Sequence, residues 1–94
     1  MPKGLFTLTA FQRDLLYVAA EQDRPSGQDI KVEIEKTYDR EVTHGRLYPN
    51  LDALTDAGFI DKGPVNRRSN FYETTDRGLR ALEERRAWEN RYFE

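Results

Sequence analysis

Apolar residues in the first half of the chain recur every three to four positions, and each run follows a hydroxyl side chain. After Thr9 come Phe11, Leu15, Val18 and Ala19, with Gln12 three residues beyond the threonine. That spacing is a capping-box signature and predicts a helix over about residues 9–22, closed by Asp-Arg-Pro-Ser-Gly. Ser26 can cap a second helix reaching about residue 37, with Ile30 and Ile34 on one face. Thr43 opens a third, whose Leu47, Leu51 and Leu54 fall at i, i+4 and i+7; Gly58 stands at its expected end.

Beyond Gly58 the period shortens. Residues 59–63 and 68–74 read as short strands about a turn at 64–66, and Thr75 caps a last helix carrying Leu79, Leu82 and Trp88 on one stripe. The order helix, helix, helix, hairpin, helix is that of a winged helix-turn-helix. The expected fold is therefore mostly α with a β-hairpin wing, plus a C-terminal dimerisation helix. Residues 1–94 form one domain, with the winged-helix core at about 9–74 and the dimerisation helix at about 75–93.

Composition narrows the function. The hydrophobic share is 37% and the mean hydropathy −0.87, so 94 residues build only a small core that gains from a partner subunit. The absence of cysteine excludes a disulfide framework, a thiolate zinc site and a thiol switch. One histidine, His44, cannot assemble an ordinary zinc site, and neither Ser26 nor Ser69 has a supporting catalytic motif. No enzyme activity and no cofactor are expected. No apolar run approaches the roughly 18–20 residues that cross a bilayer, and residues 1–8 are too short for a signal peptide. A soluble, cytoplasmic protein without membrane contact is the expectation.

The net charge of −2 is not that of an indiscriminate nucleic-acid binder, but the charge is unevenly spread. Residues 59–72 hold Lys62, Arg67 and Arg68 against one acid, and eleven of the fifteen cations are arginine. Arginine makes the paired contacts to phosphate and guanine that lysine cannot. On the third helix, Thr43, His44, Gly45, Arg46, Tyr48 and Asn50 alternate with the leucines and form the DNA-facing candidates. Arg46 can pair with guanine and Asn50 with adenine. Thr43 and the first helix amides can receive a phosphate, and Gly45 permits close backbone approach. Pro49 falls inside this helix four residues after Gly45, a pairing that predicts a bent first turn.

Three segments, "LTAFQRDLLYVAA", "GRLYPNLDALTDAGFI" and "NFYETTDRGLRAL", resemble the PadR-like family of transcriptional regulators over about residues 8–83. Their order and spacing match the family's G-x-L-Y-P-x-L…G-L-[VI] and Y-x-[LI]-T-x-x-G motifs, with greatest similarity to halophile and phage-repressor-like members. The resemblance implies a winged-helix repressor that binds a pseudo-palindromic operator in double-stranded DNA as a homodimer. It places Thr43, His44, Arg46, Tyr48 and Asn50 on DNA, with Arg67 and Arg68 from the wing. It also packs the last helix on helix 1 of the partner, which assigns Phe11, Leu15, Leu79, Leu82, Trp88 and Tyr92 to the dimer interface. The sequence departs from the pattern at Thr74, where the family commonly has an apolar residue, and in having a single helix after the wing.

Plainer readings stand beside these. His44 can be a solvated residue, Arg67 and Arg68 can simply keep a turn soluble, Tyr48 can belong to the core and Lys62 can blunt a strand edge. A winged helix that binds protein rather than DNA is the alternative function, favoured by the net acidity. A small-molecule effector is not evident.

Overall fold

All four helices open on the hydroxyl that the sequence placed there. In the computed structural model, which describes residues 4–93, α1 spans Ala10–Glu21, α2 Gly27–Tyr38, α3 His44–Asp56 and α4 Asp76–Asn90. Thr9, Ser26, Thr43 and Thr75 accept the backbone N–H three residues on, at 3.1, 3.0, 3.2 and 3.0 Å. Each bond satisfies a donor that the first helical turn leaves without an internal partner. At α1 and α2 the bond is reciprocated by Gln12 and Asp29, which completes two capping boxes. A short 3-10 helix, Gly4–Thr7, precedes α1 and was not foreseen. Lys3, the cation of the opening segment, lies outside the described residues.

The helix ends are equally local. Asp39 closes α2 in the left-handed region at φ 54°. Gly58, at φ 85°, follows α3; its N–H donates to Thr55 O and that of Phe59 to Leu54 O, both at 3.0 Å. These two bonds are the Schellman arrangement, and glycine is the residue that adopts its left-handed position without strain.

Strands β1 (Ile60–Pro64) and β2 (Asn70–Thr74) pair antiparallel, Ile60 opposite Thr74 and Lys62 opposite Tyr72. The second strand begins two residues later than the sequence pattern suggested. Asn66 explains the difference: its Oδ1 accepts from the backbone of Arg68 at 2.9 Å and of Ser69 at 3.1 Å. Residues 65–69 therefore form the turn, and Arg68 leaves the strand for the wing tip. Before α2, Pro25 O accepts Tyr72 N–H at 2.8 Å and Ser26 bridges Phe71, so the α1–α2 connection lies along the hairpin.

The core gathers Leu15, Leu16, Ile30, Ile34, Leu47, Leu51 and Leu54, each with no exposed surface, beneath Phe59, Ile60 and Tyr72. Three of the residues expected at a dimer interface lie in the core. Leu15 is completely buried and Phe11 nearly so within one protomer, because α1 runs through the middle of the fold and packs on α2, α3 and α4. Leu82 is also a core residue. The buried stripe of α4 runs through Gly78, Ala81 and Leu82, which turns Leu79 one position out into solvent at 42% exposure.

The last strand meets α4 at a tight joint. A Cβ on Gly78 would stand 2.4 Å from the Phe59 carbonyl oxygen and 2.8 Å from Thr74 Cγ2, so only glycine fits against this backbone. Thr74, the departure from the family motif, buries its hydroxyl oxygen without a hydrogen-bond partner. Thr74→Val keeps the shape and removes that uncompensated group. The expected gain is about 1 kcal/mol, read as a thermal midpoint about 5 °C higher; an unchanged or lower midpoint would contradict it.

Candidate nucleic-acid interface

The first turn of α3 projects from the body. Thr43, His44, Gly45 and Arg46 are all exposed, and no atom lies within 4 Å of where a Gly45 side chain would begin. Thr43 O accepts from both Arg46 N and Leu47 N, at 3.2 and 3.0 Å, which tightens this turn. The helix runs unbroken across Pro49. Proline has no N–H for the Gly45 carbonyl, but both residues are exposed and water can serve that oxygen. What α3 offers outward here is cationic or bare backbone; its acids, Asp52 and Asp56, come in the second half.

The candidate base-reading side chains are braced by α1. The Arg46 guanidinium lies 3.9 Å above the centre of the Phe11 ring. Asn50 donates to Arg46 O at 2.6 Å, and its Oδ1 accepts from Gln12 Nε2 at 3.0 Å. Gln12 thus links the α1 cap to α3, a role its capping-box spacing did not reveal. Tyr48 is half-buried, with its ring over Gly27 so closely that a Cβ there would fall 2.6 Å from Cε1 and the hydroxyl. The His44 ring meets Tyr48 edge-on at 5.6 Å, and Tyr72 lies behind at 6.4 Å. Tyr48 therefore packs as a core-edge residue and still reaches the surface.

Arg67 and Arg68 are exposed at the wing tip. Between wing, α3 and the start of α2 runs a cleft of about 530 Å³, lined by Gln28, Tyr48, Asp52, Lys62, Arg68 and Ser69 among others. Lys62 does more than blunt an edge: its Nζ donates to Asp52 Oδ1 at 3.1 Å, and this bond holds its pKa above the usual lysine value. The cleft joins Tyr48 and Arg68, twenty residues apart. Arg67 is not among its lining residues, nor is Arg46. Gln28, Asp52 and Ser69 escaped the sequence reading. Asp52 lies one helical turn beyond Tyr48, a signal that could have found it; Ser69 is brought in by the Asn66 turn.

The connection from α2 to α3 is clasped by Glu35. Its Oε2 accepts Val42 N–H at 2.8 Å and Lys31 Nζ at 2.9 Å, and these bonds lower its pKa, the backbone bond most. Three residues further along α2, Tyr38 donates to Asp14 at 2.7 Å; burial first, then that carboxylate, pushes its pKa up to about 12.

Far along the chain, α4 ends in an aromatic group. Trp88 is half-buried between Phe6 and Tyr92, with ring centres 5.2 and 5.1 Å away, and the Arg85 guanidinium lies 4.6 Å over its ring. Phe6, Tyr92 and Phe93 are 48%, 67% and 87% exposed. Of the expected interface set, Leu79, Trp88 and Tyr92 keep accessible surface, whereas Phe11, Leu15 and Leu82 do not. Among the described residues no acidic or histidine cluster could hold a metal ion, and no helix is long and apolar enough to cross a membrane.

Comparison with known proteins places this geometry. The model of the transcriptional regulator PadR-like family matches residues 15–84. RosR of H. salinarum is similar at 39% identity over 95% of this chain and 80% of its own, with a TM-score of 0.90. A complex structure of the RosR form designated S1 gives 38% identity over 97% of this chain and 80% of that one, at 0.91. A winged-helix DNA-binding protein from STIV shares the fold at 22% identity, covering 81% of this chain and 83% of that one, at 0.67. No curated protein sequence matches the chain.

The Glu35 clasp has a pH signature. A carboxylate whose folded pKa lies below its ordinary value near 4.5 contributes stability that is full above that value. The contribution is lost as pH falls through the lowered pKa. Glu35→Gln should therefore melt below the wild type at pH 7, with a smaller gap at pH 3. Thermal melts at the two pH values check this, and an equal gap at both would contradict it.

Proposed function

The chain belongs to the transcriptional regulator PadR-like family, and on that premise we propose a repressor that binds double-stranded DNA as a homodimer on a pseudo-palindromic operator. The observation that carries the reading is the exposed first turn of α3 beside the arginine-tipped wing. Such a turn enters the major groove with its N-terminal residues toward base edges, while a wing reaches the flanking backbone. Just beyond that turn, Tyr48 and Asp52 of α3 share a cleft with Lys62 and Arg68 of the hairpin.

Roles follow from chemistry. Arg46 makes paired hydrogen bonds to guanine O6 and N7 after leaving the Phe11 face; its exposure lets it do so. Thr43 and the first amides of α3 take a phosphate, and the open surface at Gly45 allows backbone approach. Tyr48 presents its hydroxyl to phosphate with its ring held by Gly27. Asn50 reads adenine with the hydrogen-bonding capacity left after Gln12 and Arg46. Arg67 and Arg68 contact phosphates or the minor groove from the wing, and His44 lies beside Tyr48 at the groove edge.

Dimerisation rests on the exposed apolar end of the molecule. Phe6, Tyr92 and Phe93, with half-buried Trp88 between them, and Leu79 at the other end of α4 offer surface that a monomer would leave in water. A two-fold axis through this region would set two recognition helices about 34 Å apart, one turn of DNA. Repression is then occlusion of a promoter in the cytoplasm.

Selection from random duplex DNA with the purified protein tests the reading. Enrichment of an inverted repeat with half-sites one turn apart is the expected outcome; no enrichment would remove the DNA reading and leave the protein-binding alternative. Arg46→Ala should weaken binding to the selected site by roughly 1–3 kcal/mol and relax the preference at one base pair per half-site. Uniform weakening on all sequences would assign Arg46 to phosphate instead.

A further inference from the structure

The cleft between α3 and the wing holds two cations, Lys62 and Arg68, and one carboxylate, Asp52. Lys62 and Asp52 meet at 3.1 Å, yet their side chains are 36% and 52% exposed, so the pair faces water. Ser26, Gln28, Ser69 and Asn70 add polar groups around it. A cleft with cations and hydroxyls around its wall suits a phosphodiester oxygen. The carboxylate is the one group in it that such an anion would repel.

Asp52 is not needed to hold the fold. It projects from an exposed position on α3, and Lys62 is the one residue with which it shares an ion pair among the described residues. An exposed pair of this kind contributes little to stability. What the pair does change is the charge available to a ligand: with Asp52 in place, Lys62 offers no net charge to the cleft. Lys62 Nζ also lies 5.8 Å from the centre of the Tyr72 ring, a contact that does not depend on the carboxylate.

Resting on the DNA-binding reading above, we propose that this cleft seats a DNA phosphate, and that Asp52 occupies Lys62 in the free protein and is displaced from it by that phosphate. Binding moves the Lys62 ammonium from carboxylate to phosphodiester; no covalent bond changes. The carboxylate left behind takes up a salt cation. That uptake offsets one of the counterions released from the DNA. Asp52 therefore lowers affinity in dilute salt and flattens the dependence of binding on salt, and it does both through Lys62. A chain with net charge −2 that must still hold DNA gains from this arrangement: loose attachment to any duplex is discouraged while binding survives concentrated salt.

The test is a double-mutant cycle with Asp52→Asn and Lys62→Gln, titrated with both the selected operator and a duplex of random sequence across a range of salt. Both positions are exposed, and thermal melts establish that each variant is folded. Asp52→Asn should tighten binding in dilute salt by about two- to fivefold. Its plot of log affinity against log salt should steepen by about 0.9, the value of one phosphate. Lys62→Gln alone should leave that slope near the wild-type value, because it removes the phosphate contact and the cation uptake together, and in its background both Asp52→Asn effects, the tighter binding and the steeper slope, should largely vanish.

Wild-type binding with an unchanged slope in Asp52→Asn would overturn the phosphate seat and leave the regulator reading standing. An Asp52→Asn gain that persists with Lys62 replaced would also overturn it, because the carboxylate would then act as a general negative charge. Failure of every form, the wild type included, to bind either DNA would remove the underlying reading and the seat with it.

Discussion

The carbonyl groups of Gly58 and Phe59 are where the parts of this molecule are fastened together. Phe59 O accepts Thr75 N–H at 3.0 Å, and Gly58 O accepts the Thr75 hydroxyl at 2.8 Å. The same hydroxyl oxygen caps α4 by accepting Gly78 N–H, and the absence of a side chain at Gly78 lets α4 lie directly on the Phe59 backbone. One threonine thus joins the end of α3, the base of the wing and the start of α4. The angle between α3 and the wing depends on this joint, since both strands of the hairpin leave from it.

The proposed DNA-facing side chains depend on a second layer of support. Phe11 and Gln12 on α1 hold Arg46 and Asn50, and Gly27 on α2 makes the space that Tyr48 fills. Glu35 fixes the connection between α2 and α3 through the Val42 amide. Toward the tip of the wing the Phe71 ring covers Gly63, its cross-strand partner, and the Arg24 guanidinium lies 4.0 Å over that ring. Much of what positions the surface is therefore aromatic packing around glycine, where a backbone without a side chain admits a ring.

Three side chains of the proposed interface already have partners within the chain. Arg46 rests on a ring, Lys62 on a carboxylate, and Asn50 on a glutamine. On the proposed reading, each contact is exchanged for one to DNA. Weak internal partners restrict side-chain freedom before binding and so reduce the entropy lost on complex formation.

The helices, their caps and the hairpin were legible because each depends on residues a few positions apart. A threonine or serine before an apolar stripe needs only the amide three residues on, and Gly58 needs only its own left-handed backbone. The family motifs were legible for the same reason, since their residues build the α3 end and the α4 cap. What the linear pattern could not assign was which apolar residues face inward within one chain. Phe11 and Leu15 belong to the protomer core and Leu79 to the surface, because burial depends on what packs against a helix as well as on its period. The partners of Arg46, Asn50 and Lys62 lie 35, 38 and 10 residues away, on other elements. Local hydrogen-bond chemistry wrote the elements into the sequence; the pairing of charges, amides and rings across them was decided only when the elements packed.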